Sequence, residues 1–173
     1  MKRFILSLAL LSTLALVACG GGRTGSAATM PDGSRIAIMV HTDEGLPPDA
    51  APDRVQQVQQ LSTWMENDLL AILDKTGYAA SRVEDPNTPA GPGRYVLRVK
   101  ITDYNAGSKA ARMLVGFGAG AAVLNTHYEL IGEGGTPLVA GDPSVGSGRD
   151  WKNSARKINL QTVDAVNTQL HKK

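Results

Sequence analysis

The sequence predicts an α+β fold: a mostly antiparallel sheet with two amphipathic helices packed on one face, in the order β-α-β-β-β-β-α. Three observations lead there. Two long stretches, one beginning near residue 53 and one near residue 150, repeat apolar residues at helical spacing. Runs between them alternate apolar and polar residues with period two. Gly- and Pro-rich punctuation separates these segments. Each helix must bury a stripe and each strand a face, and stacking both helices on one side of one sheet satisfies all of them.

Each element has its own warrant. "RIAIMVHT" (residues 35–42) is a short apolar run with β-branched residues and reads as a strand buried on both faces. Proline-rich "DEGLPPDAAP" interrupts it. A helix starts at Asp53, whose carboxylate is suited to cap the backbone while Gln56 reaches back. Val55, Val58, Leu61, Met65, Leu69, Ile72 and Leu73 form its stripe, and Gly77 ends it with Lys75 in the last turn. "YAASRVED" is a weak second strand, followed by the loop "PNTPAGPG". In "RYVLRVKITDYNAG", Tyr95, Leu97, Val99 and Ile101 face one way and Arg98, Lys100 and Thr102 the other, the mark of a half-buried strand. Leu124, Tyr128 and Leu130 then alternate with Asn125, His127 and Glu129. "GEGG" makes a turn and "TPLVAG" a last strand. The final helix runs from an Asp150 cap to about Leu170, with Trp151, Ala155, Ile158, Ala165, Val166 and Leu170 on one side. His171, Lys172 and Lys173 suit the negative end of its dipole.

The first residues carry an address. Lys2 and Arg3 precede an apolar core at residues 4–17 that is too short to remain as a spanning helix, the layout of a removable export signal. The "LVAC" ending resembles a bacterial lipobox, which implies cleavage between Ala18 and Cys19 and lipidation of Cys19. Several acyl chains anchor stably, each buried CH₂ contributing about 0.8 kcal/mol. Gly20 follows the cysteine; among Gram-negative lipoproteins that residue, in place of Asp, implies an outer-membrane destination facing the periplasm. Three segments result: residues 1–18 as signal peptide, 19–34 as a flexible tether bearing the lipidated Cys19, and 35–173 as a single α+β domain. The 15 residues at 20–34 would span about 20 Å as a random coil.

Composition removes several function classes. Cys19 is the one cysteine, so disulfides, thiolate metal sites and cysteine nucleophiles are excluded from the domain. The whole chain has 18 Lys+Arg against 16 Asp+Glu; losing Lys2 and Arg3 with the signal leaves 16 against 16. A neutral domain lacks the concentrated basic face that nucleic-acid binding needs. No cofactor is predicted, and no metal. His41, His127 and His171 show no ligand spacing. Ser144 and Ser147 in "GDPSVGSG" do not form a nucleophile elbow. Asp43–Glu44 and Glu84–Asp85 are neighbours that point different ways. No catalytic residue is assigned, and the chain reads as a non-enzyme; a periplasmic hydrolase would need a convergent polar cluster that the sequence does not offer.

The most unusual stretch is "MLVGFGAGAAVLN", residues 113–125. Gly116, Gly118 and Ala121 match G-x-G-x-x-A, but a helix would have to open there to hold a pyrophosphate, and period-two alternation follows instead. It is too short for a membrane helix, which needs about 20 apolar residues. A membrane β-strand needs only about 9–11. The stretch reads first as a thin strand or hairpin. Gly116, Gly118 and Gly120 would make a groove without side chains, open to close approach by Trp64, Tyr104 or a partner. Arg112 interrupts the apolar approach and is suited to pair with Asp103 or to contact a partner or a lipid phosphate.

"ITDYNAGSKAARMLVGFGAGAAVLNTHYELI" is similar to the central glycine-rich motif of a bacterial lipoprotein family known as a domain of unknown function. Tyr104, Gly107, Ser108, Arg112, Gly116, Phe117, Gly118 and Gly120, ahead of an alternating strand, carry the likeness. The stretch more weakly resembles the α/β domain of the curli-secretion pore lipoprotein, a longer protein with two membrane hairpins where this chain has room for one. The first resemblance implies a lipid-anchored binding or envelope-assembly domain, with partner contacts at Ser108, Arg112, Gly116, Phe117, Gly118 and Gly120 and an envelope protein as partner. The second implies the alternative, an oligomeric pore-like lipoprotein inserting a glycine-rich hairpin into the outer membrane. Oligomeric state is not determined by the sequence.

Overall fold

The structure, a computed structural model, describes residues 26–105, 107, 121–147 and 150–172. Strands β1 (Ala37–Asp43), β2 (Ala79–Arg82), β3 (Arg94–Asn105), β4 (Ala122–Ile131), β5 (Pro137–Gly141) and β6 (Ser144–Ser147) join helices α1 (Pro52–Thr76) and α2 (Trp151–Leu170). One sheet in the order β2-β1-β3-β4-β5 results, with β6 also paired to β4. Both helices lie on one face, as the α+β reading expects. The sheet is mixed: β1 runs parallel to β2 and β3, whereas β4 runs antiparallel to β3, β5 and β6. The sixth strand falls in "GDPSVGSG", a stretch to which the sequence reading assigns no element. β5 and β6 lie end to end along the same edge of β4, broken at Asp142–Pro143, because proline has no N–H to donate to a ladder.

Alternation along β1, β3 and β4 sorts side chains into two faces. Toward the helices, Val40, Leu97 and Leu130 form one cross-strand row and Thr42, Val99 and Tyr128 the next. Leu69, Ile72 and Leu73 of α1 and Val163, Val166 and Leu170 of α2 close over them. A second apolar cluster joins Val58, Leu61 and Met65 to Ile101, Tyr104, Leu124, Val145, Ala155 and Ile158. Thr102 is an extra residue in β3, opposite no partner in β4. That bulge shifts the phase by one, so Tyr104, not Asp103, turns to the core.

Polar contacts fix the helices to one another. Asn159 Nδ2 donates to Met65 O at 2.9 Å and Asp68 Oδ2 at 3.1 Å, and Arg156 Nη1 to Asp68 Oδ1 at 2.9 Å. Tyr78 OH donates to Asn167 Oδ1 at 2.7 Å in the interior, and burial pushes its phenol up to about 12.

Two expectations at chain ends change. Helix α1 begins at Pro52, with Ala51 at the cap and no side-chain cap bond, so Asp53 sits in the first turn instead of capping it. Proline at the first position is pre-set for helical φ and lacks a donor that would otherwise be orphaned. Gly77 ends α1 at φ 122, and Asp150 caps α2 by accepting from Asn153 N at 3.0 Å, both as expected. The second difference lies in the segment read as tether. Ala27 N donates to Thr76 O at 3.0 Å, and Ala27, Ala28 and Met30 pack against the core, so these residues of that segment are docked on the domain. Small side chains let this backbone lie close against the end of α1.

Candidate functional site

Across the sheet from the helices, the open face carries three cross-strand rows. Met39, Val96 and Ile131 make the first, an apolar one, covered by Val83 and Ala90 of the loop after β2. His41, Arg98 and Glu129 make the second, and Asp43, Lys100 and His127 the third. The loop touches the second row at its edge, through Val83 O and Pro86. The second and third rows line a groove of about 190 Å³ with Pro86 as one wall. A second depression of about 350 Å³, lined by Asn87, Thr88, Pro89, Ala90, Ile131, Gly134 and Gly135, adjoins it and shares Arg98.

Most of the charges in the groove are paired. Lys100 Nζ lies 3.5 Å from Asp43 Oδ2. His127 stands between two carboxylates, with Nδ1 2.7 Å from Asp142 Oδ1 and Nε2 3.5 Å from Glu129 Oε1. The Asp142 hydrogen bond, then Glu129, holds the His127 imidazole above its ordinary value. His41 Nδ1 faces Val83 O at 3.3 Å. Arg98 Nε donates to Pro86 O at 2.8 Å. The arrangement can bind a small charged ligand. Among the described residues, no group of three or more His, Cys, Asp or Glu is placed to hold a metal ion.

At the end of the sheet where β3 finishes and β4 begins, the two tryptophans meet. Trp64 and Trp151 pack edge to face with ring centroids 5.6 Å apart. Arg54 lies 5.7 Å from the Tyr104 ring centroid, bonds Tyr104 O, and approaches Asp103 Oδ1 at 3.6 Å. Lys152 Nζ stands 5.6 Å from the Trp151 ring. Asp103, expected opposite Arg112, therefore has Arg54 beside it.

Ala18, Cys19, Ser108, Arg112, Gly116, Phe117, Gly118 and Gly120 lie outside the described residues. The remaining polar residues singled out in the sequence take separate places. His41 and His127 meet in the groove, while His171 closes α2, its Nδ1 2.7 Å from Asn167 O. Asp43 Oδ1 accepts from Gly45 N at 2.8 Å and Asp85 Oδ1 from Asn87 N at 2.8 Å, so both build turns. Glu44 is held above its ordinary value by burial and then by the neighbouring Asp43 charge. Ser144 Oγ donates to Asn125 Oδ1 at 2.6 Å. Sequence reading placed Arg98, Lys100, His127 and Glu129 on strand faces but did not join them to His41. The joining signal is register, since His41 opposes Arg98 only once β1 and β3 pair in parallel.

Comparison with curated proteins finds no match. Two solved structures from Paraburkholderia phytofirmans are similar in fold, both PelC dodecamers. A single-substitution variant shares 15% identity over 84% of this chain and 95% of that one, with a TM-score of 0.48. The other shares 16% over 86% and 94%, with a TM-score of 0.44. The family model described as "Domain of unknown function (DUF4410)" matches residues 26–169, a span that starts beside the docked Ala27 and ends in the last turn of α2. The chain belongs to that family.

Proposed function

We propose that this chain is an outer-membrane-anchored lipoprotein facing the periplasm, and that its domain is a non-enzymatic binding or envelope-assembly module. Cys19, freed by cleavage after Ala18, carries the lipid. The surface around Ser108, Arg112, Gly116, Phe117, Gly118 and Gly120 meets an envelope protein.

The observation that carries this reading is the polarity of the domain. The chain enters beside Thr76, and Ser26 shares a surface with Asp164, Asn167 and His171 near the end of α2. Asn105 and Ala122, which bracket the glycine-rich stretch, belong to the opposite end, where Ala122 pairs with Ser147 just before α2 begins. The 20 residues of α2 separate the two ends by about 30 Å. A lipid on Cys19 would hold one end near the bilayer and leave the glycine-rich end to face a partner.

One observation favours the pore-like reading: β3 and β4 are antiparallel neighbours, the connection that a hairpin requires. Insertion would need the domain to lie down so that its far end meets the same bilayer.

Two forms separate these readings: the native lipoprotein in mild detergent, and an exported form starting at Ser26. Mass spectrometry of the first should find acyl groups on Cys19; an unmodified amino terminus there removes the anchor. Light scattering should find the second soluble and not ring-sized. A ring-sized oligomer that stays with membranes without lipid would replace the binding reading with the pore.

A further inference from the structure

We propose that Arg98 anchors a carboxylate-binding site on the open face of the sheet, taking a small organic acid in the groove between β1, β3 and β4. The site is independent of lipid anchoring and of the glycine-rich end, so its failure would leave the reading above intact.

Arg98 is the charged residue of the groove without an ionic partner among the described residues. Its register neighbour across β3–β4 is Glu129, the natural cross-strand partner. That pair does not form. Glu129 turns to His127 at 3.5 Å, and Arg98 turns to the loop, where Nε donates to Pro86 O at 2.8 Å. Lys100 is engaged by Asp43 at 3.5 Å.

That single bond to Pro86 orients the guanidinium. Of its five N–H donors one is used among the described residues, which leaves the two terminal nitrogens as a planar fork. Such a fork matches the two oxygens of a carboxylate in bidentate geometry. Arg98 borders both depressions of the face, so a ligand can reach the fork from either side.

Charge and size narrow the class. Asp43 and Glu129 line the same groove. Asp43 is paired with Lys100 and Glu129 with His127, so Arg98 offers one positive charge unpaired among the described residues. A monoanion balances that charge, and a dianion such as phosphate exceeds it beside those carboxylates. The groove, at about 190 Å³, is smaller than the pockets of about 300–1,000 Å³ that hold drug-sized molecules. A short carboxylic acid fits both limits.

Acetate is the probe, titrated into the full protein in detergent and read by saturation transfer to its methyl protons. Saturable binding in the millimolar range is expected. Arg98→Gln should weaken it at least about tenfold, since hydrogen bonds to charged groups are worth about 1.5–3 kcal/mol. Glu129→Gln, which removes a competing carboxylate, should strengthen it about two- to fivefold. Circular dichroism checks that both variants fold. Acetate binding that ignores Arg98→Gln, no saturable binding at all, or displacement of acetate by lower concentrations of phosphate would each overturn the proposal.

Discussion

The two faces of the sheet are built from the same strands, one residue apart, and they do opposite things. Leu97 looks into the helices and is fully buried; Arg98, next in line, looks onto the groove. The helix side has its apolar rows closed by two helices; some of its polar atoms are tied, as with Tyr78 to Asn167, while Thr42 Oγ1 and Ser154 Oγ are buried with no hydrogen-bond partner among the described residues. The open side has one apolar row covered by a loop, and two rows of polar and charged residues that the loop only edges, lining a groove. Stability therefore resides on one face, while the other is free to carry chemistry. An antiparallel pair with one solvated face permits this division.

The sharpest way to break the comparison is to change neighbours. Leu97→Ala should cost about 2–5 kcal/mol in denaturant unfolding, because the surrounding core cannot fully collapse into the space. Arg98→Gln should change stability by less than about 0.5 kcal/mol. Equal effects at the two positions would mean that the open face is covered in solution.

A smaller effect tests the polar ties of the helix side. Tyr78→Phe should cost about 0.5–1.5 kcal/mol, one net hydrogen bond, with no loss of helix content. A neutral result would mean that Asn167 finds an equivalent partner inside the core.

The smallest effect belongs to the open face. His127 has a raised folded value because Asp142, then Glu129, favours its charged form. Its contribution to stability is therefore present in full below the ordinary 6.5 and is lost as pH climbs through the raised value. Asp142→Asn should lower the titration midpoint of His127 in an NMR titration and flatten stability in that window. A midpoint that stays put would show that Asp142, which is exposed, does not hold the imidazole in solution.

Local pattern was enough for much of the fold. Period two in β3 and β4, helical period in α1 and α2, the φ that only glycine adopts easily at Gly77, and the Asp150 cap are all properties of neighbouring residues, so the sequence alone determined them. The proposed lipidation at Cys19 also rests on local sequence, the likeness of "LVAC" to a lipobox.

What required tertiary structure was everything that depends on which strands meet. α1 carries the chain back so that β2 runs parallel to β1, and residues 83–93 carry it back again so that β3 does too, a matter of topology that no local period records. The groove inherits that dependence. His41 and His127 are far apart along the chain and come together only through the β1–β3–β4 register. The bulge at Thr102 settles which side chains of β3 turn inward beyond it, and it arises from pairing with β4. Short-range periodicity makes a strand and picks its two faces. Pairing decides what each face becomes.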